Sequence, residues 1–208
     1  METKRGYFTV GRIAHLAVLT AILIILEVTN IGMIRIGPLE MTIMHIPVIV
    51  GAIILGPTSG AVMGGIFGLI SFFECVIGKS WFGASLFGIN PFFAFLVCVP
   101  TRMLMGRLCG LIFVALQKLE KTRKIASFAV AGLSGALLNT VFFMTALMVL
   151  FGRTEFIMGF RGDLNIIPFI VAFVGLQGLV EAILAFFTGT VISRALFNFT
   201  QRQLVKVR

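Results

Sequence analysis

Few side chains in this 208-residue sequence could bind or transform a molecule, and most of them are single polar groups inside apolar segments. Asn139 lies near the middle of one such segment, and Gln177 and Glu181 lie four residues apart in the last one, on one face of a helix. An ionisable group at membrane depth usually faces a cavity or a partner. The three residues therefore form a candidate binding set, although hydrogen bonds between helices would also satisfy the amides. Glu181 is open to pairing with Arg102 or to binding a protonated group of a substrate.

A second candidate group lies in the segment SWFGASLFGINPFF. Trp81, Phe87, Asn90 and Phe92 would supply an apolar wall with one amide, which is the usual composition of a small-molecule pocket. Trp81 is equally well explained as an aromatic anchor at the membrane interface.

Two cations in predicted outer loops, Arg35 and Arg161, are the residues best placed to receive a carboxylate. A guanidinium binds a carboxylate through two parallel hydrogen bonds, so these positions would suit an anionic substrate. Simple solvation of either side chain is the alternative.

The sequence predicts no catalytic residue, no metal site and no cofactor. His15 and His45 are the only histidines and are far apart, too few for a metal cluster. Cysteines 75, 98 and 109 are scattered and are interpreted as packing residues. A membrane-embedded enzyme would need clustered His, Asp, Glu or Ser side chains, and none is visible.

The composition identifies an integral membrane protein. Hydrophobic residues make up 59% of the chain, charged residues make up 12%, and the mean hydropathy is +1.09. Soluble domains carry about 25% charged residues. The formal charge of +9 does not indicate nucleic-acid binding, because the basic residues cluster in alternate loops rather than on one helical face.

Apolar periodicity predicts an all-α, single-domain protein over residues 1–208, a compact bundle of six transmembrane helices. The segment NIGMIRIGPLEMT between the first two helices contains Gly32, Gly37 and Pro38, and is predicted to be a loop over the outer end or a re-entrant segment, with a lid as one use. The helices are predicted at residues 12–28, 43–57, 58–77, 91–116, 124–151 and 164–195.

Lysine and arginine residues divide unevenly between the two sides that six spans define. Because cytoplasmic loops carry an excess of these residues, the bias predicts that both termini are cytoplasmic. The side of the termini, or its boundary, carries Lys4, Arg5, Arg12, Arg102, Arg107, Lys118, Lys121, Arg123, Lys124, Arg194, Arg202, Lys206 and Arg208, and the other side carries Arg35, Lys79, Arg153 and Arg161.

Three helical faces are built from small residues, which let helices approach closely in lipid. We interpret them as internal packing seams, and a docking face for another membrane subunit is the alternative. They are Gly56, Gly60, Gly64 and Gly68 in GPTSGAVMGGIFGLISFF; Ala14, Ala17 and Ala21 in AHLAVLTA; and Ala131, Gly132, Gly135 and Ala136 in AVAGLSGALLNT.

The order of these features, and above all the run MTIMHIPVIVGAIILGPTSGAVMGGIFGLISFF, resembles a known family. It is similar to the substrate-binding S-components of energy-coupling factor (ECF) vitamin transporters, which are small six-helix membrane proteins. The resemblance covers most of the chain and is strongest over residues 38–73.

The resemblance implies a protein that binds a vitamin from outside and docks on a transmembrane coupling subunit driven by two cytosolic ATPase subunits. The chain lacks the G-x-x-x-x-G-K-[ST] phosphate loop, in agreement with ATP hydrolysis on other subunits. In the family an alanine-rich face of the first helix meets the coupling subunit, and Ala14, Ala17 and Ala21 match that pattern.

The resemblance identifies the family and not the vitamin. We favour pantothenate, on similarity around MTIMHIPVIVGAIILGP and the availability of Arg35 and Arg161 for an acid; pyridoxine, folate and riboflavin are the alternatives. A flat aromatic vitamin would be expected to stack on several rings, and the chain has one Trp and one Tyr among 22 Phe. A stand-alone proton-coupled carrier is the rival from another class, although no internal duplication is visible.

Overall fold

A computed structural model describes residues 10–36, 39–119 and 125–206 of the chain. Within these ranges the protein is almost entirely helical, with one short two-stranded sheet. The elements in chain order are α1 (Val10–Val28), β1 (Met33–Ile36), β2 (Leu39–Thr42), α2 (His45–Leu55), α3 (Pro57–Ile77), α4 (Trp81–Ile89), α5 (Pro91–Leu119), α6 (Ile125–Phe151), α7 (Glu155–Arg161) and α8 (Ile166–Lys206).

The predicted helical membrane fold is confirmed. Five of the described helices are long and apolar enough to cross a membrane, and six if α7 and the start of α8, bent by 80°, count as one broken span. The 11-residue α2 is too short to cross alone, because Gly56, with φ at 94°, ends it and Pro57 begins α3 at once. Gly56 therefore forms the junction between two helices rather than the first step of the glycine ladder.

The segment predicted to be a loop or re-entrant structure contains an antiparallel hairpin instead. β1 pairs with β2 so that Met33 lies opposite Thr42 and Arg35 lies opposite Glu40. This ladder satisfies backbone groups that water would otherwise have to satisfy, which explains why regular pairing replaces an open loop near the membrane. Gly37 and Pro38 lie outside the described residues.

Two short helices were not predicted as separate elements. The predicted boundaries omitted α4, which is 9 residues long, and α7, which is 7 residues long. Ser80 is the N-cap of α4, and its hydroxyl accepts a hydrogen bond from the Gly83 N–H at 3.1 Å. Both helices lie at the end of the bundle that carries the hairpin, which is called the hairpin end below.

The glycine ladder of α3 is an internal seam against α5, as predicted. A Cβ atom added to Gly60 would lie 2.3 Å from the Gly106 carbonyl oxygen, and one added to Gly64 would lie 2.0 Å from the Arg102 carbonyl oxygen. At Gly68 the corresponding distance to the Cys98 carbonyl oxygen is 2.7 Å. No side chain fits at such distances, so glycine is what allows the two backbones to touch.

The small-residue face of α6 is also internal. A Cβ atom on Gly132 would lie 2.8 Å from the Ala185 carbonyl oxygen on α8, and one on Gly135 would lie 2.5 Å from Ile49 of α2. Ala131 and Ala136 are buried. This face therefore brings α6 against two neighbouring helices at once.

The alanine face of α1 is different, because it packs against nothing within the described chain. Ala14, Ala17 and Ala21 are all exposed, whereas Leu19 and Leu23 on the opposite side of α1 are buried. The interpretation as an internal seam is wrong for this face. It is left open to lipid or to another subunit.

Charged residues cross-link the hairpin end. The Lys79 ammonium, in the turn between α3 and α4, forms an ion pair with Glu27 near the end of α1 and lies 3.6 Å from the Glu74 carboxylate on α3. Glu74 is buried, and such a carboxylate is tolerated where a cation partly compensates its charge. These contacts hold the α3–α4 turn against α1.

Candidate functional site

A cavity of about 120 Å³ lies inside the hairpin end of the bundle. Its wall takes side chains from β2 and from α3, α4, α5, α6 and α8. Most of the lining is apolar, with Phe67, Phe82 and Phe143 as its large rings, and a few polar groups are set among them. This composition is typical of a small-molecule binding site.

Arg102 is the cation of this cavity. It lies on α5 and is only 7% exposed, and its Nη1 donates to the carbonyl oxygens of Val97 at 2.8 Å and Cys98 at 3.3 Å. Both acceptors precede it on its own helix, which directs the side chain toward the hairpin end. The Nε atom is buried and has no hydrogen-bond partner among the residues that the structure describes. A buried guanidinium with an unused N–H is a ready receptor for an anion.

Two aromatic rings flank the Arg102 guanidinium. Its central carbon lies 5.4 Å from the ring centroid of Phe67 on α3 and 5.0 Å from that of Phe143 on α6. These cation–π contacts offset part of the cost of burying a positive charge. They also fix the guanidinium between two helices, so its position is set before any ligand arrives.

Two of the residues proposed from the sequence line the same cavity. Asn139 on α6 and Glu181 on α8 are both buried there. The Glu181 carboxylate accepts a hydrogen bond from the backbone N–H of Thr42 at 2.7 Å. Thr42 is itself a lining residue at the end of β2, so Glu181 connects α8 to the base of the hairpin.

The other sequence candidates lie away from the cavity wall or outside the described side chains. Trp81 is 61% exposed, and its ring contacts Phe156 and Phe160 of α7 with centroid separations of 5.8 and 6.1 Å. The Asn90 side chain accepts a hydrogen bond from the Phe93 N–H at 3.1 Å and so caps α5. Neither residue lines the cavity.

Of the two cations proposed for the outer loops, only the side chain of Arg161 is described, and it lies away from the wall. Arg161 is the last residue of α7, half-buried, and does not line the cavity. Arg35 lies in β1 and Gln177 in α8, and their side chains lie outside the described part of the structure.

Aromatic rings close the cavity between α4 and α7. Phe82 of α4 lines the cavity and contacts Phe156, Phe160 and Phe173 with ring centroids 5.5, 6.0 and 5.6 Å apart. α4 and α7 thus form an apolar cluster beside the cavity, which is distinct from the hairpin that Glu181 holds.

Arg102, the central residue of the site, is not among the binding residues predicted from the sequence. The sequence places it with the basic residues on the side of the termini or its boundary, and indicates it only as one partner for Glu181. The depth of Arg102 in its span could have indicated its role, because it lies 11 residues inside the 29-residue α5 and a charge so deep in a span usually faces a cavity.

Among the described residues, no group of three His, Cys, Asp or Glu side chains could hold a metal ion.

The fold and the cavity define a membrane-embedded helical bundle with a cavity whose composition is typical of small-molecule sites. Residues 11–193 match the family model "ECF transporter, substrate-specific component". The chain belongs to this family of transporter substrate-binding components, which is not an enzyme class. It is also 29% identical over 198 residues to the pantothenic acid transporter PanT of Lactococcus lactis subsp. cremoris (strain MG1363), over 88% of this chain and 92% of that protein.

Proposed function

We propose that this protein is the pantothenate-binding subunit of an ATP-driven ECF transporter. The observation that carries the proposal is the buried Arg102 guanidinium in an otherwise largely apolar cavity, with an Nε–H that donates to no group in the described part of the chain. Pantothenate carries one carboxylate on a flexible aliphatic body with an amide and two hydroxyls. The similarity to a protein named as a pantothenic acid transporter supports the same choice.

The chemistry of the wall fits such a molecule along its length. Arg102 would receive the carboxylate, in place of Arg35 and Arg161, because only Arg102 among these three is known to line the cavity. Ser71, Asn139 and Thr140 offer hydrogen-bonding groups for the hydroxyls and the amide. The phenylalanine rings would cover the methyl groups, whose burial is favourable.

Arg102 also favours an acid over neutral vitamins. A guanidinium that is already desolvated gains most from a ligand that brings a full negative charge, since the ion pair forms in a medium of low dielectric constant. A neutral ligand would bring no negative charge to pair with the guanidinium. Pyridoxine has no carboxylate to pair with Arg102, so it matches this site less well.

The hairpin end is proposed to face the outside, so that the substrate enters there. The support is the excess of lysine and arginine on the side of the termini, which persists when Arg102 is removed from that count.

The exposed face of Ala14, Ala17 and Ala21 on α1 is proposed to dock on the transmembrane coupling subunit, with two cytosolic ATPase subunits supplying the energy. Small residues would let the partner helix approach the α1 backbone closely.

A binding assay on the purified chain tests the substrate. Isothermal titration calorimetry in detergent would be run with pantothenate, pyridoxine, folate and riboflavin. Saturable binding of pantothenate at least a hundredfold tighter than of the others supports the proposal. Tighter binding of any other member of the panel would refute the substrate assignment.

A reconstitution experiment tests the mechanism. Proteoliposomes would contain either this chain alone or this chain with its coupling and ATPase subunits. Pantothenate accumulation that requires all subunits and internal ATP is expected. Accumulation by the chain alone, abolished by an uncoupler, would favour the stand-alone carrier instead.

A further inference from the structure

Two thiols face each other across a gap in the wall of the cavity. Cys75 on α3 and Cys98 on α5 are buried, both line the cavity, and their Sγ atoms lie 4.0 Å apart. The backbones of α3 and α5 touch at Gly68, two turns from Cys75, so side-chain rotation cannot bring the sulfurs to bonding distance. The gap between the two sulfurs therefore suits a bridging atom and not a direct S–S bond.

We propose that Cys75 and Cys98 bind a soft monovalent metal ion of the copper(I) class in the wall of the cavity. Thiolates are the protein ligands that select such ions, and two of them are enough for copper(I). Structural zinc sites take four ligands, and no group of three His, Cys, Asp or Glu side chains lies together among the described residues. The metal site does not depend on the identity of the substrate.

The separation of the two sulfurs fits a shared metal ion. With the zinc–thiolate bond length of about 2.3 Å as a guide, one ion joins sulfurs about 3.8 Å apart in tetrahedral geometry and about 4.6 Å apart in linear geometry. The observed 4.0 Å lies within this interval, so the sulfurs need not approach each other. An ion at this separation lies to one side of the line between the sulfurs, and the cavity that both cysteines line offers that space.

A positive charge beside the pair compensates the charge of such a complex. Thiolates and not thiols bind metal, so binding releases two protons, and a monovalent ion with two thiolates carries one negative charge. Arg102 donates through Nη1 to the Cys98 carbonyl oxygen at 3.3 Å, and its charge is close enough to act on both cysteines. The guanidinium and the complex would attract each other in a medium of low dielectric constant.

The other surroundings of the two thiols are apolar. Val99 is buried against both cysteines, and the half-buried rings of Phe72, Phe87 and Phe95 pack on the same cluster. An apolar shell limits the access of water, which would otherwise compete with the thiolates for the metal. Binding would cost the hydrogen bond that the Cys75 thiol donates to the Ser71 carbonyl oxygen at 3.1 Å.

The metal complex would also compete with an anionic substrate, because each places a negative charge next to Arg102. This consequence rests on the proposed function, in which Arg102 receives the carboxylate of pantothenate. The metal ion would therefore act as an inhibitor that occupies the wall of the same cavity.

A copper(I) titration of the purified full chain tests the metal site. Protein in detergent, kept under ascorbate without oxygen, would compete for copper(I) with bicinchoninate, whose coloured complex reports the metal that the protein has not bound. Ag⁺ is a second probe that does not change its oxidation state. X-ray absorption at the copper edge would count the sulfur neighbours of the bound ion.

The cysteines provide matched variants for this titration. Cys109 lies elsewhere on α5, where its thiol donates to the Ala131 carbonyl oxygen at 3.3 Å, so Cys109→Ser gives a background in which only the pair remains. C75S and C98S, each made in that background, remove one ligand. Arg102→Met, in the same background, removes the compensating charge.

The Cys109→Ser protein is expected to bind one copper(I) ion with two sulfur neighbours. C75S and C98S should each weaken this binding at least a hundredfold, and Arg102→Met should weaken it at least fivefold. Absence of tight binding in the Cys109→Ser protein overturns the proposal, as does unchanged binding in C75S and C98S.

Pantothenate binding to the same protein separates the two proposals. Saturating copper(I) should weaken pantothenate binding at least tenfold, and removal of the metal with a chelator should restore it. Failure of the metal-free protein to bind pantothenate would refute the substrate assignment alone, since the copper titration does not depend on it.

Discussion

The Glu181 carboxylate on α8 lies 2.7 Å from the backbone N–H of Thr42, across 139 positions in the sequence. The Thr42 hydroxyl accepts a hydrogen bond from the Met44 N–H at 3.1 Å and donates one to the Gly32 carbonyl oxygen at 3.3 Å. These contacts join the last transmembrane helix to both sides of the hairpin base. Glu181 therefore positions part of the cavity wall.

Glu181→Ala is expected to weaken pantothenate binding mainly by speeding dissociation. A hydrogen bond to a charged group contributes about 1.5–3 kcal/mol, which corresponds to about a ten- to a hundredfold loss of affinity. Glu181→Gln keeps an oxygen acceptor for the Thr42 N–H and should lose less than Glu181→Ala. The measurement is the dissociation rate of radiolabelled pantothenate from protein in detergent. Equal, large losses in both variants would indicate that the site depends on the negative charge of Glu181 and not only on its hydrogen bond to Thr42.

Arg102→Met should remove the preference for an acid. Wild-type protein is expected to bind pantothenate far more tightly than panthenol, the alcohol in which a hydroxyl replaces the carboxylate, because only the acid pairs with the guanidinium. In Arg102→Met the affinity for pantothenate should fall about a hundredfold or more, and the two compounds should bind within a few fold of each other. Competition binding measures both ligands.

Arg107→Met is the matched control for this experiment. Arg107 lies on the same helix, five residues further on, and is exposed. Its removal changes the net charge by the same amount without touching the cavity, so pantothenate affinity should stay within twofold. A retained preference for the acid in Arg102→Met would assign the carboxylate to another cation, such as Arg35 or Arg161.

Close packing of α3 against a neighbouring helix could be predicted from the sequence, because such contact in lipid requires small residues and Gly60, Gly64 and Gly68 repeat at one helical spacing. The spacing does not indicate that this neighbour is α5. The hairpin and the short α4 and α7 could not be predicted with the same certainty. Elements of 4 to 9 residues do not contain enough periods to distinguish one structure from another.

The binding site was harder to predict because its residues are brought together by tertiary packing. The role of Arg102 depends on the direction in which one side chain leaves a long helix and on the rings of Phe67 and Phe143 that receive it. Neither is encoded in local sequence. Trp81 is a candidate because of its aromatic type and its place at the outer start of a span, which also suit an interface anchor, and the structure leaves 61% of it exposed.

Gly64→Ala should destabilise the protein strongly. The added methyl group would lie 2.0 Å from the Arg102 carbonyl oxygen, so α3 and α5 must separate along their shared seam. Overpacking of this kind costs about 3 kcal/mol or more where the obstacle is backbone. Gly88→Ala on α4 is the control, because nothing lies within 4 Å of its added Cβ atom. Thermal unfolding in detergent would compare the variants, and equal melting temperatures would contradict the seam.

Ala17→Trp is expected to separate docking from binding. Ala17 lies on the exposed side of α1, so a large side chain there is tolerated by the isolated chain but holds a partner helix away from the α1 backbone. Copurification with the coupling subunit should fall at least tenfold, whereas pantothenate affinity of the isolated protein stays unchanged. Val149→Trp is the control, since Val149 is 77% exposed on α6, away from α1. Loss of the partner with Val149→Trp and not with Ala17→Trp would move the docking surface from α1 to α6.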